Sequence, residues 1–160
     1  MKPDPSTGVV IVDHGSRRAE SNEMLLRVVA NFVEQFPGYD IVEPAHMELA
    51  EPSIATAFDR CVARGVTSVV VLPYFLLPGK HWDQDIPKLT AEAASKHPGV
   101  KFMVTAPIGL HPAMAGVIAS RLQHCVSHAG GSAPQCEACV GKAGCAMRVS
   151  QGEPVTTPTA

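Results

Sequence analysis

The sequence predicts an open α/β domain, a four-stranded parallel sheet with helices on both faces, followed by an irregular C-terminal tail. Two observations predict it. Short β-branched runs alternate with longer amphipathic runs, and from residue 130 onward Gly, Pro, Ser and Thr replace that alternation. The strand–helix repetition implies parallel pairing with crossover helices. At 160 residues the chain has the length of one domain, at roughly 100–200 residues apiece. We divide it into a domain over residues 1–129 and a flexible tail over 130–160.

Val9-Val10-Ile11-Val12 is apolar throughout, β-branched and too short for a helix, so it reads as a buried strand. Over 21–36 the residues Met24, Leu25, Val28, Val29, Phe32, Val33 and Phe36 recur at helical spacing, and Pro37-Gly38 ends the run. A weaker strand is predicted over 40–44. Ser53 caps a helix with Ile54, Ala57, Phe58, Cys61 and Val62 on its apolar face, stopped by Gly65. Ser68 to Leu72 is the clearest strand after the first. A helix over 85–97, a strand over 101–105 and a helix over about 112–129, with Pro in its first turn, complete the domain.

Thirteen Lys and Arg against fifteen Asp and Glu leave a net charge of −2, which argues against a general nucleic-acid surface. No apolar run approaches the ~18–20 residues of a membrane span. Residues 1–8 are polar and lack the basic start and apolar centre of a secretory signal, so the expected compartment is the cytoplasm. Five Cys, three of them within 136–145, do not form a secretory disulfide pattern.

In open α/β sheets ligands bind beyond the carboxyl ends of the strands, where strand order reverses. The loops at those ends carry Asp13-His14-Gly15-Ser16-Arg17-Arg18, then His46-Met47-Glu48-Leu49-Ala50-Glu51-Pro52-Ser53, then Pro73 to Asp83 with Lys80 and His81. Imidazole and carboxylate together suit a borderline divalent ion. Each residue has a plainer reading as well. His14 could be a packed structural histidine, Glu48 a dipole partner for the helix starting near Ser53, and Arg17 and Arg18 a solvated pair. Guanidinium nevertheless pairs bidentately with carboxylate, which makes an anion-binding role credible. His46, His97, His111, His124 and His128 have no partner at ligand spacing and read as structural.

Three strings occur in order, Val12-Asp13-His14-Gly15-Ser16-Arg17, Met47-Glu48-Leu49-Ala50-Glu51-Pro52-Ser53-Ile54, and Val71-Leu72-Pro73-Tyr74-Phe75-Leu76-Leu77-Pro78-Gly79-Lys80-His81. Together with Ala106-Pro107-Ile108-Gly109 they closely resemble the small class II tetrapyrrole chelatases, over about residues 9–129. The resemblance implies a chelatase-like, flavodoxin-like unit. It also implies an enzyme that inserts a divalent metal into sirohydrochlorin, most readily Fe²⁺ to give siroheme, with Co²⁺ and the cobalamin pathway as the other choice.

It further implies that His14 and His81 bind the metal and serve its chemistry; Glu48 is our own reading of a third ligand beside them. The chemistry needs such residues. Metallation releases two pyrrole protons, so a base of near-neutral pKa belongs beside the ion. The ligand set must also be open, since the ion leaves for the ring. Arg17, Arg18 and Lys80 are the expected contacts for the substrate carboxylates, and Phe75, Leu76, Leu77 and Trp82 the apolar surface for the macrocycle. At this length the chain resembles the single-unit form of the family, expected to act as a homodimer.

Cys136-x2-Cys139-x5-Cys145 resembles the Cys-rich extension of plant-type sirohydrochlorin ferrochelatases, which carries a [2Fe-2S] cluster. Cys125 is the expected fourth ligand, with a ligand from a dimer partner or metal-free thiols as the alternatives, while Cys61 reads as a small core residue. The plant-type likeness implies a plastid if a transit peptide has been removed. Two rival functions stand beside the chelatase. One is phosphoryl transfer through His14 as in histidine phosphatases, although Asp13 would repel a phosphate. The other is a non-enzymatic metal- or Fe–S-binding regulator built on the tail.

Overall fold

A computed structural model describes residues 4–109 and 111–140. Its elements are β1 (Thr7–Asp13), α1 (Ala19–Gln35), β2 (Val42–His46), α2 (Ile54–Ala63), β3 (Ser68–Pro73), a π-helical turn (His81–Asp85), α3 (Ile86–Ala94), β4 (Lys101–Val104) and α4 (Ala113–Ala129). The sheet is parallel throughout, in the order β2-β1-β3-β4, as the alternation of runs predicts.

Side chains alternate faces along a strand, and here both faces are covered. Val10, Val12, Val69 and Val71 are fully buried in one core with Ala57, Phe58 and Cys61 of α2 and Ile86 and Ala93 of α3. Ile11 packs on the opposite side with Leu25 and Val29 of α1, flanked by Val9 and Leu72. Two-sided burial is why β1 reads as an unbroken apolar run. Phe58 has no exposed surface, so its truncation to Ala costs about 3–5 kcal/mol.

The first core also accounts for Cys61. Burial pushes its thiol up to about 12, which leaves a small apolar residue in a strand–helix interface. Its Sγ would lie 3.0 Å from a Cβ placed on Gly8, so β1 and α2 meet closely there.

Local chemistry sets the element ends. Ser53 Oγ accepts the Thr56 N–H at 3.3 Å, the cap expected for α2,. Glu51 Oε2 accepts from the Ser53 N–H at 2.8 Å and the Thr56 hydroxyl at 2.9 Å. These bonds, the backbone one foremost, hold the Glu51 carboxyl below its ordinary value. β2 begins at Val42 rather than at Asp40. α3 ends at Ala94, short of the predicted limit, because the Lys96 and His97 N–H groups turn back to the carbonyls of Ala93 and Ala94. His97 Nε2 meets Asp59 Oδ1 at 2.5 Å, and its ring stacks on Phe58, so the structural reading of this histidine holds.

The chain divides after Leu110 into two compact units. The first contains the sheet with α1, α2 and α3. In the second, α4 carries exposed Val117, Ile118, Leu122 and Val126, and a turn at Cys136 receives the N–H groups of Cys139 and Val140. Arg121 forms an ion pair with Glu137. Among the described residues no helix is long and apolar enough to cross a membrane.

Candidate active site

β1 has β2 on one side and β3 on the other, so strand order reverses at β1. The loops after β1 and β3 therefore open side by side, with the loop after β2 next to them. His14 stands one residue beyond β1. Gly15 turns the chain at φ +81°, and a Cβ there would lie 1.9 Å from the Glu48 carbonyl oxygen. Only glycine fits this approach. The Ser16 N–H donates to Asn22 Oδ1 and Asn22 Nδ2 donates to the Ser16 carbonyl, which ties the loop to the first turn of α1.

Parallel pairing continues past the strands. The Met47 N–H bonds the Asp13 carbonyl at 2.8 Å and the Glu48 N–H bonds the His14 carbonyl at 3.1 Å. His14 Nε2 consequently meets Glu48 Oε1 at 2.9 Å, with both side chains about half exposed. His14 Nδ1 lies 3.2 Å from the Gly15 carbonyl oxygen, so Nε2 is the ring atom that faces Glu48. Two donor atoms each about 2.1 Å from one ion stand about 3 Å apart when cis. The His14–Glu48 spacing matches that geometry.

His81 arrives from the loop after β3, and here the structure corrects the expectation. The residue does not lie in an open loop but begins the π-helical turn that runs into α3. Its Nδ1 is 2.8 Å from Asp85 Oδ2, which leaves Nε2 for an ion. Trp82 Nε1 donates to the Thr105 carbonyl at 3.0 Å and anchors the turn to the chain leaving β4. The rings of His14 and His81 meet edge-on, with centroids 5.1 Å apart. Among the described residues, however, no three His, Cys, Asp or Glu side chains form a ready-made cage.

Beside His81 lies a cavity of about 350 Å³ lined by Phe75, Leu76, Leu77, Pro78, Gly79 and Trp82. Leu76 and Leu77 are 60% and 78% exposed, an apolar shelf open to solvent. Arg17, Arg18 and Lys80 are exposed on the adjacent loops, and none forms an ion pair among the described residues.

Cys125 is exposed, Cys136 buried and Cys139 half-buried, and Cys145 lies outside the described residues. The backbone N–H groups of Ala138 and then Cys139 pull the Cys136 thiol below its ordinary value. The described cysteines do not gather into a group of three.

Sequence reasoning missed two partners. Asp85 follows His81 at a helical i+4 spacing, a signal that only a helical reading of residues 81–85 would have exposed. His46 is 1% exposed and bonds Asp13 through Nδ1 at 2.6 Å, a cross-strand pairing that sequence spacing cannot reveal.

A family model described as CbiX matches residues 8–125. The chain is 54% identical over 140 residues to the chloroplastic sirohydrochlorin ferrochelatase of Arabidopsis thaliana, covering 88% of this chain and 62% of that protein. It is 35% identical to a sirohydrochlorin cobaltochelatase of Priestia megaterium, covering 72% of this chain and 37% of the relative. Against a cobaltochelatase of Sulfurisphaera tokodaii, 32% identical, the figures are 72% and 91%. The chain thus spans less than two thirds of the first two relatives.

Among solved structures, a cobalamin biosynthesis CbiX protein from Marinobacter aquaeolei superposes with a TM-score of 0.67 at 29% identity, over 76% of this chain and 98% of the other. The sirohydrochlorin chelatase SirB of Bacillus subtilis subspecies spizizenii in complex with cobalt gives 0.65 at 29% identity, over 73% and 50%. The sheet order, the three loop strings and a family match over most of the sheet-bearing unit agree, and the chain belongs to the CbiX family.

Proposed function

We propose that this chain is a sirohydrochlorin chelatase, a lyase-class enzyme that inserts Fe²⁺ to give siroheme and accepts Co²⁺ as a second ion. One observation carries the reading. At the carboxyl edge of the sheet His14 meets Glu48 at 2.9 Å and the His81 ring at 5.1 Å between centroids, in a chain 54% identical to a ferrochelatase.

His14, His81 and Glu48 hold the incoming ion loosely, because two imidazoles and a carboxylate leave coordination positions for the ring nitrogens. Two pyrrole N–H bonds break and the four ring nitrogens bind the ion as its bonds to His14, His81 and Glu48 break. Each nitrogen keeps its electron pair for the metal, and the two protons pass to the imidazoles as these release the ion, then to water. Arg17, Arg18 and Lys80 pair with the substrate carboxylates, while Phe75, Leu76, Leu77 and Trp82 take the macrocycle face.

The test is anaerobic metallation of sirohydrochlorin with Fe²⁺, Co²⁺ and Ni²⁺, followed by absorption. His14→Ala and His81→Ala should each lose most of the rate, and full activity in either would remove that residue from the site. Lys80→Ala should raise KM more than it lowers kcat. Phosphoryl transfer through His14 is disfavoured by the Glu48 carboxylate at 2.9 Å. Turnover of p-nitrophenyl phosphate without metal would revive it.

The [2Fe-2S] cluster and the dimer are part of the same proposal. The turn that lowers the Cys136 thiol and sets the Cys139 N–H on the Cys136 carbonyl supports thiolate ligation, with Cys125 and Cys145 completing the set. Anaerobic absorption before and after removal of residues 130–160 tests the cluster, and metallation that survives the removal excludes the tail-based regulator. A homodimer is supported by relatives such as the Bacillus structure, whose chain is about twice the length this one covers. Light scattering tests it. The chloroplastic relative supports a plastid over the cytoplasm, which localisation of a fluorescent fusion would decide.

A further inference from the structure

We propose that the buried Asp13–His46 pair is a positioning element of the metal site, the lateral lock that sets His14 against Glu48. The inference rests on the proposed ligand role of those two residues.

β2 is an edge strand whose neighbour in the sheet is β1, and its continuation delivers Glu48. Asp13 and His46 are cross-strand partners at the last position of the β1–β2 pairing. His46 Nδ1 bonds Asp13 Oδ1 at 2.6 Å, and the imidazole is 1% exposed against 25% for the carboxylate. The same Oδ1 accepts the Gly15 N–H at 2.9 Å. One carboxylate therefore fixes both the neighbouring strand and the turn immediately after His14.

The next two steps are the bonds from Met47 N–H to the Asp13 carbonyl and from Glu48 N–H to the His14 carbonyl. His46 N–H donates to the Pro52 carbonyl at 2.7 Å, closing the loop that carries Glu48. The position of a Cβ on Gly15 is hemmed by the Glu48 carbonyl and by His46 Cβ, the latter at 3.1 Å. The pair thus sits beneath both ligands. With its Nδ1 on Asp13 and almost no exposed surface, His46 is not itself open to an arriving ion. A buried polar pair of this kind fixes one register at the end of a strand that otherwise frays.

The test uses the full chain and Co²⁺, titrated through its visible ligand-field bands. Kd and band shape are compared for the wild type, His14→Ala, Glu48→Gln, His46→Phe, His46→Asn and the His46→Phe/Glu48→Gln double variant. His46→Phe keeps a ring and removes the donor, and should raise Kd by roughly tenfold, as loss of supporting shells does. In His46→Asn the side-chain amide can replace Nδ1 as donor, so Kd should return to within about threefold of the wild type. The double variant should bind no more weakly than Glu48→Gln alone, because the lock acts through Glu48.

Thermal unfolding is measured on every protein. A His46→Phe variant that loses stability but keeps its Kd and spectrum overturns the proposal, as does a fully additive loss in the double variant. If His46→Phe does not fold, Asp13→Asn takes its place: a raised Kd that is not additive with Glu48→Gln supports the lock, and an unchanged Kd overturns it. Unchanged binding in both His14→Ala and Glu48→Gln would instead show that the ligand assignment itself had failed.

Discussion

Asp85 Oδ2 lies 2.8 Å from His81 Nδ1, across a single π-helical turn. A carboxylate in this position selects the tautomer whose Nε2 faces an ion and fixes the orientation of the ring. Replacing Asp85 by Ala should weaken Co²⁺ binding by about 10–100-fold, while the sheet and its core are untouched. Ligand-field titration checks this, and affinity equal to the wild type would assign Asp85 to helix structure alone.

Gly15 offers a sharper test of the crowded turn. Ala at this position must adopt φ near +81° and place its Cβ against the Glu48 carbonyl. The left-handed conformation alone costs about 1–2 kcal/mol, and the overlap forces Glu48 away from His14. Gly15→Ala should unfold at lower denaturant and also lose metallation beyond what its remaining folded fraction explains. An active, destabilised variant would show that the loop yields without moving Glu48.

Acid should weaken the α2 cap. The Glu51 carboxyl sits below its ordinary value because Ser53 N–H and the Thr56 hydroxyl donate to it. A depressed carboxyl contributes stability above the unfolded-state pKa and loses it as pH falls through the folded-state value. Glu51→Gln should therefore be less stable than the wild type at pH 7, with the difference disappearing under acid conditions. Ser53→Ala should cost about 1 kcal/mol. Urea unfolding across that pH range measures both effects.

The cysteines should separate by reactivity. With its thiol pushed to about 12, Cys61 holds roughly one thiolate in ten thousand at pH 8. Cys125 is exposed, and the Cys136 thiol is drawn the other way. A thiol reagent applied to the native protein should modify the tail cysteines first and Cys61 only on unfolding, as peptide mapping would record.

Much of this was legible in the residues. Val9 to Val12 announced a two-sided strand because parallel sheets bury both faces, and Ser53 announced a helix start because its hydroxyl can reach one specific amide. His14, Glu48 and His81 could be grouped because a topological rule places the loops after consecutive strands on one edge. The rule does not deliver side-chain partners. Asp13 and His46 are 33 residues apart, and their contact depends on strand register, which local pattern leaves open. Residues 81–84 read as loop because Pro78-Gly79 precedes them, whereas the π-helical turn from His81 to Asp85 runs directly into α3.

The strand order has a consequence for the making of the protein. Its first imidazole is synthesised long before the second, and β1 acquires both neighbours only once the segment through Pro73 has been built. A half-made chain at the ribosome therefore carries His14 without His81 beside it. On the proposed ligand assignment, the two imidazoles can share an ion only after the edge is assembled.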